Sequence, residues 1–60
     1  KENNMPKDPI MLLSYVNTEL RDHYSSLEEF CSAEGVSTQE IIDRLAAVNY
    51  TYDPKTNRFI

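Results

Sequence analysis

Glycine and cysteine each occur once in this chain, as Gly35 and Cys31. A single glycine excludes a glycine-rich phosphate-binding loop. A single cysteine excludes an internal disulfide, which a secreted domain this small ordinarily needs, and so points to the cytoplasm. Long apolar runs are missing as well. The longest, Ile10 to Leu13, is far below the ~20 residues that cross a bilayer, so no membrane association is expected. No basic segment followed by an apolar one opens the chain, and no signal peptide is expected. The chain begins on Lys1 rather than Met, so either residues precede it or Met5 marks a natural start. There is no internal repeat and no low-complexity stretch.

Positive charge is also scarce. Six Lys and Arg stand against ten Asp and Glu, for a net charge of -4. Nonspecific binding to nucleic acid or to anionic lipid wants a basic surface, so this balance argues against both. Hydrophobic residues at 40% and charged residues at 27% make the chain globular rather than disordered. Sixty residues make one domain. A domain of that size buries only about 60% of the surface its unfolded chain exposes. Such a core leaves little room for a deep, dry active site, which favours a binding or structural role over catalysis.

What is present reads as three helices and a hairpin. Residues 1–7 are polar and form a flexible lead-in to a single domain over 8–60. Asp8-Pro9 is a helix start, because Asp caps free N–H groups and Pro suits the first helical position. The first helix runs over about 9–23. Leu12, Leu13, Val16, Leu20 and Tyr24 share its core stripe. Ser26 with Glu29, or equally Ser25 with Glu28, forms a capping box for a second helix over about 26–34, which presents Leu27, Phe30 and Cys31. Gly35 supplies the left-handed backbone that ends it, letting Val36 fold back on Cys31.

Ser37 and Glu40 cap a third helix over about 38–48, with Val36 and Ile41 at the spacing of a hydrophobic staple. Glu40 and Arg44 are placed to pair on its wet side, and Asn49 is its C-cap. The period then shortens. Tyr50-Thr51-Tyr52 alternates as a strand, residues 53–57 carry turn chemistry, and Arg58-Phe59-Ile60 returns as a second strand. The register pairs Tyr52 with Phe59 and Asp53 with Arg58. The fold class is therefore mainly α: a compact helix-turn-helix-like bundle with a C-terminal β-hairpin over about 50–52 and 58–60. Its core is Leu13, Val16, Leu20, Leu27, Phe30, Ile41, Leu45 and Val48.

The stretch from Pro6 to Asn17, reading PKDPIMLLSYVN, resembles the opening motif of a family of short bacterial proteins classed as a domain of unknown function, uncharacterised family 4250. Leu20-Arg21-Asp22, Leu45-Ala46-Ala47-Val48, Asn49 to Asp53 and Asn57-Arg58-Phe59 extend the resemblance to almost the whole chain. Members of that family often carry Gly where this chain has Asn49, and Lys where it has Glu19. The resemblance implies a compact bacterial cytoplasmic domain. It implies no activity, ligand or site residue.

Cys31 and His23 are the only soft or borderline ligands, too few to close a structural zinc site. Cys31 lies on the apolar side of its helix and reads as a small core hydrophobe. His23 sits where a cation suits the helix dipole. Glu28 and Glu29 are adjacent and point apart, so they are not a catalytic pair. No catalytic residue, metal site, cofactor or small-molecule substrate is indicated, and the chain reads as no enzyme.

The second and third helices, joined at Gly35, resemble a helix-turn-helix with the hairpin as wing. Yet the outward residues of its would-be recognition helix are Gln39, Glu40, Asp43 and Arg44, two of them acids that would face phosphates. Met11 and Tyr15 lie one turn apart, off the core stripe, with Ile10 at the edge. With Tyr50 and Tyr52 they form a candidate interface for a protein partner or a second copy. A non-enzymatic interaction or self-associating module is the expectation, and a nucleic-acid-binding domain is the alternative.

Overall fold

The computed structural model describes residues 5–60, and the expected order of elements is present. Helices α1 (Pro9–Asp22), α2 (Leu27–Glu34) and α3 (Thr38–Ala46) are followed by strands β1 (Tyr52–Asp53) and β2 (Arg58–Phe59). The strands are antiparallel and pair Tyr52 with Phe59 and Asp53 with Arg58, the register the sequence predicts. Residues 1–4 of the expected lead-in lie outside the described residues. Met5 packs against the core. Arg44 Nη2 donates to the Pro6 and Lys7 carbonyls at 3.1 and 2.8 Å, so the end of the lead-in is held against α3. Arg44 therefore does not pair with Glu40 as its spacing suggests, because two backbone carbonyls of the lead-in claim its guanidinium.

Each helix begins where its capping chemistry places it. Asp8 accepts from the Ile10 and Met11 N–H groups, and Pro9 takes the first turn. Ser26, not Ser25, caps α2: its hydroxyl accepts from the Glu29 N–H at 3.1 Å. Glu29 reaches back one residue further than a capping box requires, accepting from the Ser25 N–H and hydroxyl. Those two bonds, the backbone one first, hold the Glu29 carboxyl below its ordinary pKa. Ser37 accepts from the Gln39 and Glu40 N–H groups.

Two helices end in the same way. Gly35 has φ +74°, its N–H bonds to the Ser32 carbonyl, and the Val36 N–H bonds to the Cys31 carbonyl. Asn49 has φ +69°, its N–H bonds to Ala46, and the Tyr50 N–H bonds to Leu45. Both are Schellman closures, one on the residue that enters the left-handed region freely and one on its usual substitute. The second closure shortens two expected elements. The α-helix stops at Ala46 rather than 48, because the Val48 N–H bonds to Leu45 in a tighter turn. Tyr50 closes the helix instead of starting a strand, and β1 begins at Tyr52. Thr51 and Ile60 still exchange both backbone bonds, at 3.0 and 2.8 Å, so the ladder extends one pair beyond the strands.

The core draws on every element except β1. Leu12, Val16 and Leu20 of α1, Leu27, Phe30 and Cys31 of α2, Ile41 and Leu45 of α3, and Phe59 of β2 are all buried. Leu12 rather than Leu13 completes the α1 stripe, since it lies four residues before Val16 and eight before Leu20. Leu13 and Val48, expected in the core, are half-buried. Phe59 was not expected there. Its burial follows from the register, which turns it inward beside Tyr52 at a ring separation of 5.5 Å.

Candidate functional site

The four candidate interface residues occupy different environments. Met11 is 63% exposed and its neighbour Ile10 56%. Tyr15, Tyr50 and Tyr52 are half-buried and pack against the core. Tyr15 lies edge-on to Phe30 at 6.0 Å, so it belongs to the inner side of α1 rather than to a second face. Its hydroxyl donates to Glu34 at 3.4 Å. Burial first, and then the charges of Glu34 and Glu19, push its pKa up.

The would-be recognition helix α3 presents Gln39, Glu40 and Asp43 to solvent. Gln39 donates to Asp43 at 2.8 Å along the helix. Its one cation, Arg44, is committed to Pro6 and Lys7. Cys31 is 1% exposed. Burial, with Glu40 adding to it, raises its thiol pKa, which keeps it protonated and poorly nucleophilic at neutral pH. His23 is exposed at the end of α1 and meets Tyr24 edge-on at 6.4 Å. Among the described residues no group of three or more His, Cys, Asp or Glu could hold a metal ion. Among them, too, no helix is long and apolar enough to cross a membrane.

One polar arrangement joins distant parts of the chain and has no signature in the sequence. It is the seam between α1 and the hairpin, built by two asparagines. Asn17 uses both ends of its amide on one residue: Oδ1 accepts from the Phe59 N–H at 2.8 Å, and Nδ2 donates to the Phe59 carbonyl at 3.2 Å. Phe59 sits in a non-hydrogen-bonded pair with Tyr52, so its own N–H and C=O face away from β1. The Asn17 amide meets them there as a neighbouring strand would.

Asn57 does the complementary work at the other end of the seam. It has φ +56°. Its Nδ2 donates to the Leu20 and Tyr24 carbonyls at 3.1 and 3.0 Å, closing the C-terminal end of α1. Its Oδ1 accepts from the Tyr52 hydroxyl at 2.7 Å. That hydroxyl accepts in turn from the Leu27 N–H, one of the free donors that open α2. Asp53 sets the turn between the strands by accepting from the Lys55 N–H and the Thr56 hydroxyl. Among the described residues no buried side-chain polar atom lacks a partner.

An Asn17→Ala variant should lose about 1–3 kcal/mol of stability by leaving both Phe59 backbone groups without this partner. Amide hydrogen exchange gives a local readout. The Phe59 N–H should exchange much faster in the variant, while the Ile60 N–H, bonded to Thr51, keeps its protection. Asn17→Asp retains the acceptor and loses the donor, so it should protect Phe59 N–H better than alanine does. Equal exchange of Phe59 in wild type and alanine variant would contradict this geometry.

Comparison with known proteins adds a family. The model of the family described as Domain of unknown function (DUF4250) matches residues 6–59. No curated protein and no solved structure matches the chain.

Proposed function

Because the chain belongs to that family, whose function is not defined, we propose a role from its own surface: a non-enzymatic interaction module that associates with a second copy of itself or with a protein partner. The observation that carries this reading is the exposure of Ile10 and Met11, side by side at the start of α1, at 56% and 63%. In a domain of 60 residues, two large apolar side chains next to each other in solvent are a sizeable share of the apolar surface not placed in the core. Ile60 is exposed as well, at 53%. The direction of β2 supports grouping it with them. Asn57 meets Leu20 and Tyr24, and Phe59 meets Asn17. One residue further, the strand carries Ile60 towards the N-terminal half of α1. Tyr15, Tyr50 and Tyr52 are half-buried and pack against the core.

The bacterial cytoplasm is the setting we propose, from the family resemblance of the sequence and the lone unpaired Cys31. A nucleic-acid role has less support, since α3 offers two acids and an amide outward while Arg44 is engaged inward.

Sedimentation equilibrium of wild type and Met11→Asp over a concentration series tests the self-association form. Wild type should associate, and the variant should be monomeric with an unchanged helical circular dichroism spectrum. Monomers in both would remove the homodimer and leave only a partner of different sequence.

A further inference from the structure

We propose that the groove between α1 and the hairpin binds the phosphate group of a small phosphate monoester. The groove is open to solvent on one side and has a volume of about 630 Å³, within the ~300–1,000 Å³ usual for small-molecule sites. One wall is a helical stripe, Ser14, Thr18 and Arg21; Thr56 and Arg58 form the other. Among the described residues no acid lines it, although the chain carries ten acids to six bases.

The cations of the two walls are not equivalent. Arg21 already holds Asp22 through two bonds, at 2.9 and 3.1 Å, so its charge is matched. Arg58 is exposed and has no side-chain partner among the described residues. Asp53 stands opposite it in the ladder, but turns its carboxylate into the loop towards Lys55 and Thr56. The Ser14 and Thr18 hydroxyls are likewise without a partner among the described residues and are exposed.

The floor supplies the rigidity that a site needs. Asn17 and Asn57 lie in it, and their amides are the bonds that fix the hairpin to α1. The two walls are thus held at a set separation before any ligand arrives, which lowers the ordering cost of binding. A guanidinium fork on one side and two hydroxyls on the other suit a tetrahedral group with three terminal oxygens better than a planar carboxylate with two. The volume exceeds that of a phosphate alone and leaves room for a small organic body.

Amide-detected NMR titration of the full chain tests this. The probes are inorganic phosphate and glycerol phosphate, with sodium chloride at matched ionic strength and glycerol as controls. Either phosphate probe should give saturable shifts confined to Ser14, Thr18 and residues 56–58, and neither control should reproduce them. Arg58→Gln should raise the dissociation constant about tenfold or more, and Thr18→Val by less. Both positions are exposed, so the variants should keep the wild-type spectrum elsewhere. No saturation with either phosphate, shifts that chloride reproduces, or binding that Arg58→Gln leaves unchanged would each overturn the proposal.

Discussion

An Asn57→Ala variant is expected to lose roughly 3–5 kcal/mol of stability, a large part of what the domain has. Three bonds disappear with the amide, two to the carbonyls at the end of α1 and one from Tyr52. Each contributes about 0.5–1.5 kcal/mol net. Alanine must also adopt φ +56°, a left-handed conformation that costs most residues about 1–2 kcal/mol. At about 0.05–0.15 kcal/mol per residue, a domain of this length holds roughly 3–9 kcal/mol in all.

Asn57→Gly separates the two causes. It removes the same bonds but relieves the backbone, so it should be more stable than the alanine variant by about 1 kcal/mol. Urea unfolding followed by far-ultraviolet circular dichroism measures both. An alanine variant within about 1 kcal/mol of wild type would mean that water replaces the amide at little cost, and the seam would not be a fastening.

Phe30→Ala is expected to be as severe, at about 3–5 kcal/mol, by leaving a cavity at the centre of the helices. Phe30 is fully buried. Tyr15 and Tyr24 both meet it edge-on, at 6.0 and 5.7 Å with interplanar angles of 65° and 74°. Contacts of that geometry add about 0.5–1.5 kcal/mol each beyond the area they bury. Phe30→Leu keeps much of the volume and loses the ring contacts, so it should fall between alanine and wild type. The near-ultraviolet signal of the tyrosines should weaken in both variants, because Tyr15 and Tyr24 lose the ring that orders them. A leucine variant as unstable as the alanine one would assign the effect to shape rather than to volume.

Local chemistry made much of this fold legible in the sequence. Asp8-Pro9, Ser26, Gly35 and Ser37 act on backbone groups within a few residues of themselves, and each does what its type and position predict, while Glu29 departs by one residue and bonds to Ser25. The hairpin register was legible for the same reason: the turn residues fix which residues face each other. The seam was not. Asn17 reaches Phe59 across 42 residues, and Asn57 reaches Leu20 across 37. An asparagine that bonds to distant backbone has no periodicity and no local signature. The family resemblance did rest on stretches that end at Asn17 and begin at Asn57, but nothing in their spacing says that they meet. Tyr15 escaped for a related reason. It stands off the α1 stripe, and only the position of Phe30 on α2 turns its ring inward.

The groove was equally hidden. Its walls come from the middle of α1 and the far end of the chain, and neither carries a motif for anions. An overall excess of acid made a cationic recess harder to expect, because net charge averages over faces that a ligand meets one at a time. The sequence grouped Met11 with Tyr15 and put Ile10 at the edge, because all three lie off the assigned stripe of α1; in the structure Ile10 and Met11 are exposed and Tyr15 is half-buried.

The Asn17 amide also bears on how this chain behaves in a crowd. A two-stranded sheet has two free margins, each a template on which another polypeptide can lay a strand and start an aggregate. Here a side chain from the helix occupies the donor and the acceptor that β2 would offer at Phe59. On the other margin β1 runs into Pro54, which has no N–H to give. A sheet of four strand residues, too small to be stable by itself, is in this way also denied the means to grow.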